Sequence, residues 1–127
     1  IHIEVDADGD LLKSHDMIDN IERMVKKTLH IEFVAHMDPV VTSDPLIEKQ
    51  KALLTDTFSV TDGVDTVHDL RIVPGPTHTN IIFDVVLSPS CQYKESTLRN
   101  MANNALKSVD PNYYAVITFD KAYTQLD

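Results

Sequence analysis

The chain has one cysteine, no tryptophan, three glycines, and only four Phe and four Tyr among 127 residues. A lone Cys91 excludes an internal disulfide framework and any CxxC metal knuckle. It follows Ser88-Pro89-Ser90 with no histidine nearby, so it reads as a surface or packing thiol. No apolar run approaches the roughly 18–20 residues needed to cross a bilayer. Basic residues are in the minority: 11 Lys+Arg face 20 Asp+Glu, for a net charge of -9. That balance argues against a phosphate-binding surface, so nucleic acid is not an expected partner. No glycine-rich phosphate loop, oxyanion-hole motif or nucleophile with a paired base is present. His68 with Asp69, or His36 with Asp38, could be drawn as acid/base pairs, but without these companions no enzyme is expected.

What remains is an ordinary folded composition, 43% hydrophobic and 24% charged, with six histidines. Ile1, Ile3 and Val5 alternate with His2, Glu4 and Asp6, the period of a strand with one buried face. Ser14 is a natural N-cap for a helix over residues 15–29, striped by Met17, Ile18, Ile21, Val25 and Leu29. Asp16 and Asp19 then fall in its first turn and Lys26 and Lys27 in its last, as the macrodipole favours. A second strand is predicted over residues 31–37, stopped by Asp38-Pro39. The first unit, residues 1–41, is therefore β-α-β.

Ser43-Asp44-Pro45 opens another helix, striped by Leu46, Ile47, Leu53, Leu54 and Phe58. Strands follow near residues 66–73 and over residues 79–87, the latter strongly β-branched. A helix over residues 95–108 and a strand over residues 113–119 complete a second unit, α-β-β-α-β, over residues 42–127. The class is α+β. Laying residues 1–40 on 81–122 puts Ile3 on Phe83, Val5 on Val85 and Ile18 on Leu98, and His36-Met37-Asp38 near Thr118-Phe119-Asp120. This implies an internal duplication whose first copy lacks its opening helix and strand, which are expected upstream of Ile1.

Three histidines stand out. His2 is on the polar face of the first strand, His15 in the first turn of the helix, and His36 near the end of the second strand, two residues before Asp38. If the two strands are neighbours, His2 and His36 share a sheet face. Imidazoles with a carboxylate form an N/O donor set for Zn²⁺ or a similar divalent ion. His30 abuts a helix end, His78 is a turn residue, and His68 lies beside Asp69 and Arg71 on a strand.

Four motifs in order carry a resemblance. Ile1-His2-Ile3-Glu4-Val5-Asp6, Ser14-His15-Asp16-Met17-Ile18-Asp19, Ala35-His36-Met37-Asp38-Pro39, and Gly63-Val64-Asp65-Thr66-Val67-His68-Asp69-Leu70-Arg71 resemble the cytoplasmic C-terminal domain of cation diffusion facilitator transporters. The resemblance implies a metallochaperone-like or ferredoxin-like two-layer sandwich, duplicated here, and a homodimer at the cytoplasmic face of the membrane. The transmembrane domain of the same transporter would export divalent cations in exchange for protons. It also implies His2, His15, His36, Asp38 and His68 as metal ligands. The second copy keeps His68 and Asp120, but Ile82, Glu95 and Thr118 replace the remaining ligands, so it is expected to be mainly structural.

The expected function is a regulatory, dimerising domain that senses Zn²⁺, with Mn²⁺, Co²⁺ and Fe²⁺ also compatible with the donors. The alternative is a dimerisation scaffold with no functional metal site.

Overall fold

The computed structural model describes residues 1–122 and divides into two compact units, Ile1–Val41 and Thr42–Asp127. The first contains strand β1 (His2–Asp6), helix α1 (Leu11–Leu29) and strand β2 (His36–Val40). β1 and β2 pair in parallel, with His2 opposite His36 and Glu4 opposite Asp38.

The start of α1 differs from the expectation. Asp10, not Ser14, is the N-cap; its carboxylate accepts from the backbone N–H groups of Leu12 (3.0 Å) and Lys13 (3.1 Å). Asp6 holds a turn just before it, accepting from the Asp8 N–H through its side chain and the Gly9 N–H through its carbonyl. The Ser14 N–H is already committed to the Asp10 carbonyl at 3.0 Å, as an ordinary helical bond. The first turn consequently holds no acidic residue, and His15, Asp16 and Asp19 fall beyond it. At the other end, His30 takes a left-handed conformation (φ 56°) and its N–H bonds the Lys26 carbonyl.

The second strand begins at His36 rather than residue 31, and Asp38-Pro39 does not stop it. Residues preceding it find partners elsewhere: the Ala35 N–H donates to Glu22 Oε1 at 2.8 Å, and the Val34 carbonyl accepts from the Ile1 amino group. Pro39 is tolerated because each strand of a two-stranded sheet has a free edge.

The second unit runs α2 (Pro45–Phe58), β3 (Val64–Val73), β4 (Thr79–Leu87), α3 (Glu95–Val109) and β5 (Tyr113–Lys121). Its sheet has the order β3-β4-β5, antiparallel then parallel. α2 starts within Ser43-Asp44-Pro45 as the sequence predicts, with Pro45 in its first turn; Asp44 is the cap, its carboxylate accepting from the Leu46 N–H at 2.8 Å. Ile81, Phe83 and Val85 are fully buried on one face of β4, as are Leu54 of α2 and Leu98, Ala102 and Leu106 of α3. Alternation along β4 turns Ile82, Asp84 and Val86 to the other face. At about 1.5–3 kcal/mol per fully buried large apolar side chain, this layer dominates the unit's stability. Among the described residues the architecture is α+β, with two small sheets and three helices, compatible with a ferredoxin-like sandwich.

Both units contain a parallel β-α-β: β1-α1-β2 and β4-α3-β5. Their registers agree, with partners 34 residues apart in each (Ile3 to Met37, Phe83 to Ile117). The ladder therefore equates His36-Met37-Asp38 with Val116-Ile117-Thr118, two residues earlier than the motif overlay suggested. Asp38 faces Glu4, whereas Asp120 faces Val86.

Candidate metal centres

In the second unit, His68 of β3 stands directly opposite Asp84 of β4. Asp84 in turn faces Thr118 of β5, and Asp120 follows two residues later on the same side. A bulge keeps this alignment: between the pairs His68–Asp84 and Arg71–Ile82, β3 advances three residues while β4 advances two. The extra residue is Asp69, with φ 54°. Val67 and Leu70 are thus both buried, while His68 and Arg71 both lie on the face turned away from α2 and α3.

Among the described residues, His68, Asp84 and Asp120 are the one group of three whose ligand atoms all lie within 4.8 Å of one another. With metal–ligand bonds of about 2.0–2.2 Å, donors across an ion are at most about 4.4 Å apart, so small side-chain rotations close the set. One imidazole nitrogen and two carboxylate oxygens suit Zn²⁺, Mn²⁺, Co²⁺ or Fe²⁺ and leave positions for water or further ligands. His68 Nδ1 lies 3.2 Å from Asp69 Oδ2. Arg71 Nη1 donates to the Asp69 carbonyl at 2.9 Å and lies 4.0 Å from Asp84 Oδ1.

The first unit brings together a different set. His2 Nδ1 and Asp38 Oδ2 are 2.9 Å apart, and the His2 and His36 rings stack at 5.3 Å between centroids, 28° from parallel. Two imidazoles and a carboxylate therefore share one end of the β1–β2 ladder, at the start of β2 rather than its end. His15, with His36, Asp19 and Glu22, lines a cavity of about 260 Å³. Glu22 Oε1 is engaged there by the Ala35 N–H.

Sequence reasoning named His68 and noted Asp120 but missed Asp84, and it expected the second unit to be mainly structural. The signal was a lone charge at an outward position in the run Ile81-Ile82-Phe83-Asp84-Val85-Val86. Only the antiparallel register shows what faces it. Ile82 is half-buried beside the cluster, Glu95 opens α3, and Thr118 is exposed opposite Asp84. His78 packs edge-on against Tyr114 at 5.8 Å.

No protein-family model, curated protein or solved structure matches the chain. Among the described residues, no helix is long and apolar enough to cross a membrane.

Proposed function

We propose that this chain is a non-enzymatic, metal-sensing regulatory and dimerisation module of a divalent-cation efflux transporter of the cation diffusion facilitator type. In this reading it works at the cytoplasmic face of the membrane, beside the transporter's transmembrane domain. The observation that carries the reading is the convergence of His68, Asp84 and Asp120 on one sheet face. The His2–His36–Asp38 ladder supports it with a second, more nitrogen-rich donor set.

Each copy carries a net charge of -9, so bringing two together costs repulsion. Divalent ions held by imidazole and carboxylate groups offset that charge and favour the closed pair. They do so only to the extent that the closed state binds metal better than the open one. Calorimetric titration with Zn²⁺ tests the reading: a His68→Ala/Asp84→Ala variant is expected to lose at least tenfold in affinity at one site. Absence of Zn²⁺ binding by the unaltered chain would sink it.

A metal-independent dimerisation scaffold is the second reading. Tyr114 and Val116 favour it, each 44% exposed and on the same side of β5 as Thr118 and Asp120. A dimer that persists in sedimentation runs with excess chelator would support the scaffold over the sensor.

A further inference from the structure

We propose that Asp69 is the positioning residue of the His68 metal ligand; the inference rests on the metal reading of this sheet face. An imidazole presents two nitrogens, and which one can bind a cation depends on where the other sends its proton. His68 Nδ1 lies 3.2 Å from Asp69 Oδ2. An ionised carboxylate only accepts, so Nδ1 carries the hydrogen and donates it. The lone pair is then on Nε2, the nitrogen left to face a metal. A carboxylate behind a ligating imidazole holds its tautomer and ring orientation and raises its basicity.

The backbone places this carboxylate. Asp69 is the extra residue of the β3 bulge and one of two non-glycine residues with positive φ among those described. Buried Val67 and Leu70 anchor the chain on either side of the His68–Asp69 pair. The Arg71 guanidinium clamps the Asp69 carbonyl at 2.9 Å. In a regular strand, successive side chains alternate faces, so residue 69 would point away from residue 68. The left-handed turn is what allows neighbours in sequence to bond through their side chains.

A simpler account is that Asp stands there because Asp and Asn tolerate the left-handed region. The two accounts separate experimentally. Asp69→Gly suits the backbone and removes the carboxylate, whereas Asp69→Asn suits it and retains an acceptor oxygen. Calorimetric Zn²⁺ titration of the whole chain is expected to show D69G weakened about 10–100-fold and D69N weakened less. Nitrogen-15 spectra of the metal-free chain should show His68 as the Nδ1–H tautomer, shifting toward a mixture in D69G.

Wild-type Zn²⁺ affinity in D69G, with His68→Ala weakened, overturns the role of Asp69 while sparing the site. Unchanged His68 ring nitrogens in D69G overturn it too. Wild-type affinity in His68→Ala overturns the metal reading of this face and the proposal together.

Discussion

His2 and His36 are direct partners across a parallel ladder, their rings stacked 5.3 Å apart, although 34 residues separate them in the chain. Asp38, on the same side of β2 as His36, bonds His2 at 2.9 Å. The side chains of His2 and Asp38 are 69% and 36% exposed, which makes this a weak structural contact. Exposed pairs of this kind contribute about 0–1 kcal/mol. A His2→Ala/His36→Ala variant is therefore expected to unfold in urea within about 0.5 kcal/mol of wild type. Its Zn²⁺ stoichiometry by calorimetry should fall. A large stability loss with unchanged Zn²⁺ binding would make the pair structural instead.

Asp10 and Ser14 make opposite predictions for α1. Asp10 satisfies two N–H groups of the first turn. Its replacement by Ala should cost about 0.5–2 kcal/mol, seen as lost helicity in circular dichroism on heating. Ser14→Ala, inside the helix, should change stability by less than about 0.5 kcal/mol, since Ala is the better helix former. Equal losses in the two variants would contradict the observed cap.

Gly63 is required by both space and backbone. It adopts φ 89°, and a Cβ there would lie 2.6 Å from the Cα of Cys91. The Gly63 carbonyl also accepts from the Ser88 N–H at 2.7 Å, so the two loops cannot simply separate. Gly63→Ala should destabilise by at least about 2 kcal/mol, combining left-handed strain with overpacking. The midpoint of chemical denaturation measures it.

Gln50 is 2% exposed on α2, and its Oε1 has no hydrogen-bond partner among the described residues. An unsatisfied buried amide oxygen is a cost that an apolar side chain of similar shape removes. Gln50→Met is expected to be neutral or to stabilise by about 1 kcal/mol, read from the same denaturation curves. A loss above about 1 kcal/mol would mean that the amide is held by bonds made through its nitrogen.

Much of this molecule is legible in its sequence because strands and helices print different periods on the chain. The strongly β-branched run over residues 79–87, whose alternate members Ile81, Phe83 and Val85 are buried, is of this kind. So is the Asp44-Pro45 start of α2, where a carboxylate and a fixed φ act within a few residues. The misreadings near Asp10 and His36 have separate origins. Two chemically acceptable caps stood four residues apart, and the strand start depended on bonds made by Glu22 and Ile1 at a distance.

The metal candidates divide along the same line. Local motifs sufficed to single out His2, His36, Asp38 and His68 as donor types. Sequence also placed His2, His36 and His68 on strands, since that depends on neighbours one to four residues away, but it read Asp38 as the stop of a strand in which it lies. Tertiary structure alone decided which donors meet. Antiparallel register set His68 against Asp84, parallel pairing brought Asp120 alongside, and one bulged residue turned Asp69 onto its neighbour's ring. Register is settled by packing whole strands against a core, and a one-residue slip would send every one of these side chains to the opposite face.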